Sequence, residues 1–92
     1  MKSIKVENMT SPKTGNPVAN QFMIRMSNGT TFFQSYDSVI AKVTKSGNVT
    51  LDRNTWDYSV TTTKYRNEFL RENTAITRKK IESGEYKLSD LN

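Results

Sequence analysis

The chain contains no cysteine and no histidine. Without cysteine there is no disulfide framework, thiolate nucleophile or cysteine-based metal site. Without histidine the commonest general base, the commonest transition-metal ligand and both familiar nucleophilic triads are also gone. Glycine is scarce, and its four scattered residues make no phosphate-cradling loop. Hydrophobic residues are 34% of the chain and, even with the four Gly, fall short of the ~45–50% usual in globular domains counted that way. No stretch approaches the ~18 consecutive apolar residues of a membrane span, and "MKSIKVENMT" lacks the apolar run of a signal peptide. These absences point to a cytoplasmic chain without a membrane partner, cofactor or metal.

What is present is modest in size and basic in balance. Ninety-two residues are expected to form one domain, 1–92, that buries a little over ~60% of the surface an unfolded chain exposes. Large aromatics must then supply much of the buried area. Fourteen basic against nine acidic residues give a net charge of +5 and a pI near 9.6. That balance suits nucleic acid, an acidic protein surface or anionic lipid. Three Asn-x-Thr sequons, at Asn8, Asn28 and Asn48, read as turn chemistry.

Local patterning predicts strands first and helices afterwards. "SIKVENMTS" reads as a short strand, and residues 11 to 20, with Pro12, Gly15, Asn16 and Pro17, read as a loop. "NQFMIRMSNGTTFFQSY" places two β-rich runs around Asn28-Gly29, the pair favoured in a two-residue type I′ turn. That register sets Ile24 opposite Phe33 and puts Phe22, Ile24, Met26 and Phe33 on the core face, leaving Met23, Arg25, Phe32 and Gln34 on the other. In "SVIAKVTKSGNVTLD" a three-residue Lys45-Ser46-Gly47 loop sets Val43 opposite Val49 and Ala41 opposite Leu51, burying a consistent face. After Asp52 the period lengthens. Ser59 and Thr61 to Thr63 are cap candidates for a helix carrying Tyr65 and Phe69 on one face; Asn73 or Thr74 caps a second helix that Gly84 stops. The tail carries Tyr86, Leu88 and Leu91, which should dock on the body. The expected fold is α+β, a small antiparallel sheet of two hairpins with three to five strands packed against one or two C-terminal helices.

The segment "TWDYSVTTTKYRNEFL" holds the only Trp, two of the four Tyr and one of the four Phe. Two readings remain open: Tyr58, Tyr65 and Phe69 as helix-to-sheet core entered through Trp56, or a surface platform of Trp56 and Tyr58 flanked by Arg53, Lys64 and Arg66. The helices add Arg71, Arg78, Lys79 and Lys80, interspersed with Glu68, Glu72 and Glu82. Arg53, Trp56, Tyr58, Lys64, Arg66, Arg71, Arg78, Lys79 and Lys80 are therefore the candidate binding residues. Catalytic residues are not expected. Asp37, Asp52 and Asp57 lack a recognised Mg²⁺ ligand spacing, and Asp52 and Asp57 read better as acceptors for nearby backbone amides. Ser59 and Lys64 make a poor Ser-Lys pair.

The segments "GNPVANQFMI", "FFQSYDSVIA", "VTLD", "WDYSVTTTKYRNEFL" and "SDLN" together resemble a family of small uncharacterised proteins from bacteriophages and mobile elements. The resemblance runs from about Gly15 to Asn92 and brings no catalytic or binding role with it. It implies a bacterial host cytoplasm and action by stoichiometric binding to a bacterial protein or nucleoprotein complex. The leading expectation is a non-enzymatic accessory protein that inhibits a bacterial defence or nucleic-acid-handling enzyme, in the manner of an anti-CRISPR protein. The alternative is direct binding of DNA or RNA by basic helices with aromatic stacking. A homodimer through the face bearing Phe32 is a further expectation.

Overall fold

A computed structural model describes residues 4–92. Its elements are β1 (Ile4–Thr10), β2 (Pro17–Met26), β3 (Thr31–Ser35), β4 (Ser38–Val43), β5 (Val49–Asp52), α1 (Val60–Leu70), α2 (Thr74–Glu82) and β6 (Lys87–Ser89). The strands form one six-stranded sheet in chain order, so β1 to β5 are an antiparallel meander. The two helices then cross over, and β6 joins parallel to β5. The α+β class holds, with more strands than the three to five expected. The sixth comes from the tail, where Tyr86 is buried and Lys87–Ser89 extends the sheet. Ser3, expected in the first strand, lies outside the described residues.

The second hairpin has the expected register, with Val43 opposite Val49, Ala41 opposite Leu51 and Gly47 at φ 93°. The first hairpin does not. Met23 pairs with Phe33, Ile24 with Phe32 and Arg25 with Thr31, which leaves Ser27, Asn28 and Gly29 as a three-residue loop. The Gly29 N–H donates to the Met26 carbonyl (3.1 Å), Gly29 takes φ 90°, and Asn28 Oδ1 accepts from the Thr30 N–H at 2.9 Å. A type I turn followed by a left-handed glycine is the same device used in the second hairpin. One residue of slip reverses the facing of one strand against the other. Phe33 therefore shares the helix-facing side with Met23, while Phe22, Ile24 and Met26, expected in the core, point away from it.

Two smaller corrections follow from backbone geometry. The expected loop at 11 to 20 closes by residue 16, because Pro17 can occupy the first position of a strand. Asn8 is a strand residue rather than a turn residue, and its Nδ2 donates to the Val18 carbonyl at 3.0 Å. Between β3 and β4 the chain reverses through Tyr36 and Asp37, with Tyr36 at φ 56° and its N–H donating to the Asn20 carbonyl at 2.6 Å. Register then slips at Ile40, so Ile40 and Ala41 are both buried although adjacent.

The core lies on one side of the sheet. Met9, Phe33, Ile40, Ala41, Val49, Leu51, Tyr65 and Tyr86 form it, with Met23, Val43, Trp56, Phe69 and Leu70 packed around. The Phe33 and Phe69 rings stack with centroids 5.7 Å apart, and Ser35 Oγ meets Thr62 Oγ1 at 2.9 Å, so β3 is where α1 is held. Ser59 caps α1 by accepting from the Thr62 N–H, and Asn73 caps α2 by accepting from the Ile76 N–H.

Both hairpin glycines should resist substitution, unequally. A Cβ on Gly29 would meet Lys45 Cβ at 2.8 Å, whereas one on Gly47 meets nothing within 4 Å. Gly47→Ala is expected to cost about 1 kcal/mol from its left-handed backbone alone, and Gly29→Ala more. Urea denaturation of the two variants checks the order; equal losses would remove the Lys45 contact as a cause.

Candidate functional site

The turn after β5 delivers Trp56 and Asp57 to the helices. There Arg66 of α1 is fully buried. Its Nη1 donates to the Trp56 carbonyl, and its Nη2 donates to Asn67 Oδ1 at 2.9 Å and Thr74 Oγ1 at 2.8 Å. Asp57 lies 3.8 Å from Arg66 and 3.0 Å from Arg78. Both guanidinium groups sit over the Trp56 ring, at 5.2 and 5.3 Å from its centroid. Burial pulls the Arg66 pKa below its ordinary value, Asp57 and Glu72 resist that, and Arg78 adds to the lowering. Arg66 thus spends its charge inside the fold, and burial takes it off the surface where the sequence placed it.

A second cluster joins the helices to the tail. Glu72 accepts from Thr77 Oγ1 (2.6 Å), Lys80 Nζ (2.9 Å) and the Tyr86 hydroxyl (2.8 Å). Burial is the largest influence on this carboxyl and opposes ionisation, yet the three hydrogen bonds together hold its pKa below the usual value. Its hydrogen bonds to Glu72 and to the Tyr86 hydroxyl raise Lys80, and burial with the Glu72 bond raises Tyr86. Asp52 is a third internal anchor. It accepts from the Leu91 N–H (2.9 Å), the Asn54 N–H (3.2 Å) and Thr55 Oγ1 (2.8 Å). Burial raises its pKa, and these bonds with Asn92 more than reverse that.

The remaining sequence candidates are dispersed. Arg53 is exposed and pairs with Asp90 at 3.4 Å. Arg71 is the left-handed C-cap of α1 and lines a groove with Glu7, Asn8, Met9, Thr10, Met23 and Glu68. Lys64 lies over the Tyr65 ring at 5.5 Å, and Lys79 is exposed in the last turn of α2. Tyr58, 51% exposed, forms a shallow groove with Asp57, Ser59, Val60 and Thr63. The structure therefore brings Trp56, Arg66 and Arg78 together and does not join the other cations to them. Among the described residues no group of three or more metal-ligating side chains converges.

Sequence reasoning missed the opposite side of the sheet. Pairing places Ile4 beside Met26, Val6 beside Ile24, Asn8 beside Phe22, and Ile24 beside Phe32 on the side away from the helices. None of the six apolar residues in that set belongs to the core cluster, and Ile4 and Val6 are 61% and 58% exposed. The row continues from Phe32 to Lys42, Thr50 and Lys87. Asp52, the one carboxylate on this side among the described strand residues, is buried and internally bonded.

A six-stranded sheet with two helices over one face, and apolar side chains on the other, defines a small α+β chain. A model of the family of unknown function DUF8033 matches residues 4–85, so the chain belongs to that family. No curated protein and no solved structure matches it. The match supports an uncharacterised family and carries nothing about a bacteriophage or mobile-element origin. Among the described residues no helix is long and apolar enough to cross a membrane.

Two measurements test these clusters. Arg66→Ala is expected to cost about 3 kcal/mol in urea denaturation, since it strands the Trp56 carbonyl and Asp57; Arg78→Ala, at the exposed end of the cluster, should cost about 1 kcal/mol or less. Similar losses for both would mean that burial of Arg66 is not what matters. Glu72 and Asp52 are depressed on folding, so their contribution is complete above their unfolded-state values and is lost as pH falls through the folded ones. Thermal stability should hold down to about pH 5 and drop below about pH 4. Glu72→Gln should flatten that drop, and an unchanged acid profile would argue against the network.

Proposed function

We propose that this chain works by binding rather than catalysis, and that a partner protein docks on the bare face of its sheet. One observation carries the reading: β1 to β3 present Ile4, Val6, Phe22, Ile24, Met26 and Phe32 outward with no charge among them, bordered by Lys42 and Lys87. A partner surface that is apolar and edged by carboxylates complements this arrangement in both shape of charge and hydrophobicity. Four of the six side chains are aliphatic or thioether and give a base little to stack on, which favours protein over nucleic acid at this face. The finer reading is of a bacteriophage-type protein that inhibits a bacterial defence or nucleic-acid-handling enzyme in bacterial cytoplasm. Its support is the sequence resemblance and the lack of histidine and cysteine.

The alternative, direct nucleic-acid binding, draws on the helical surface. Lys64, Arg71 and Lys79 are exposed and make no ion pair with the described residues, and Tyr58 offers an accessible ring. Trp56 is the weaker stacking candidate because two guanidinium groups already cover its ring.

Tagged wild type and an Ile24→Lys variant, both confirmed folded by circular dichroism, can be compared as baits in bacterial lysate with and without nuclease treatment. A protein retained by wild type and lost from the variant is the expected result. Identical capture by both would remove the sheet face as the site. Capture that disappears from both on nuclease treatment would favour the nucleic-acid reading.

A further inference from the structure

β1 is an edge strand of seven residues, and among the described residues its only sheet neighbour is β2. Ile4, Lys5, Val6 and Asn8 are exposed along it. It carries no proline, and its one irregularity falls between Asn8 and Thr10. An edge of this length with free backbone groups is a template for another strand. The other sheet edge, β6, has three residues.

We propose that two copies of this chain pair edge to edge through antiparallel β1 strands centred on Val6, joining their sheets into one. A two-fold axis perpendicular to the sheet keeps the helices of both copies on the same side, so residues facing each other must point the same way. Only registers centred on a residue satisfy that. Centring on Lys5 opposes Lys5 to its own copy, and centring on Glu7 opposes Glu7 to its own copy; like charges directly opposite are destabilising. Centring on Val6 sets Lys5 opposite the other copy's Glu7 twice, Val6 opposite Val6, and Ile4 opposite Asn8. Charges on an edge strand ordinarily discourage pairing, but here their order makes one register complementary. Lys5 and Glu7 lie on the same side of the strand already, 3.5 Å apart within one chain, with Arg25 also 3.5 Å from Glu7. The apolar faces of the two copies become continuous across the junction at Val6, so this interface is separate from docking on that face and does not depend on it.

Charge reversal at two exposed positions tests the register. Light scattering of wild type across a concentration series should show mass rising from the 10.5 kDa chain toward twice that value. Lys5→Glu alone opposes Glu to Glu twice, and Glu7→Lys alone opposes Lys to Lys twice, so each variant should dimerise about tenfold or more weakly. Mixed in equal amounts, the two variants carry complementary edges and should recover the wild-type affinity as a heterodimer. A wild type that stays monomeric at every concentration overturns the proposal. So does a dimer that survives both reversals unchanged, or one that they weaken without recovery on mixing. A dimer broken by Ile24→Lys but indifferent to the reversals would instead place the copies face to face.

Discussion

Among the described residues, two helices of eleven and nine residues are all the helical material that covers a six-stranded sheet. Six strands at a spacing of ~4.8 Å span roughly 24 Å, while helices of these lengths run about 16 and 13 Å. Burial is therefore one-sided and uneven. It is deepest where Phe33 stacks on Phe69 and thins toward β1, whose helix-facing positions carry Lys5 and Glu7 instead of apolar residues. The bare face, the exposed edge and the charged wing are all consequences of the same shortage.

The chain compensates for limited apolar mass with polar groups that are satisfied internally. Arg66, Asp52 and Glu72 each gather hydrogen bonds from two or more separate segments, and each would be costly to leave unpaired in the interior. Geometry is thereby fixed more tightly than a small apolar core could fix it. Among the described residues two buried side-chain atoms have no partner, Gln21 Oε1 and Arg66 Nε. The concentration of aromatic residues in 55–70 has the same explanation. Trp56, Tyr65 and Phe69 are part of the packed body, and Tyr58 alone of that segment's aromatics is largely open to solvent.

Much of this was legible in the residues, and the failures have specific causes. Helix boundaries could be read because Ser59, Asn73 and Gly84 have capping and stopping chemistry that acts locally. The Lys45-Ser46-Gly47 loop could be read because only one length gave matching apolar partners. At Asn28-Gly29 both registers offered apolar pairs and both kept Phe33 in the core, so the dipeptide's turn preference decided the reading; the observed register puts Met23 rather than Ile24 beside Phe33. The basic residues of the helices looked interchangeable in sequence. Their fates diverge because burial of Arg66 and the Glu72 contact of Lys80 depend on how the turn before α1, α1 and α2 fold against one another, which no single helix's pattern encodes.

The carboxamide of Asn92 donates to the Val39 carbonyl at 2.9 Å and accepts from the Val39 N–H at 2.7 Å, standing in for a peptide unit beside β4. These partners are 53 positions apart, whereas the hairpins of the meander close over a few residues. During synthesis the meander has its neighbours as soon as each strand emerges. The Val39 N–H must wait for Asn92, and the Val39 carbonyl for Asn92 and Thr55, so until then β4 presents open hydrogen-bonding groups that later segments fill.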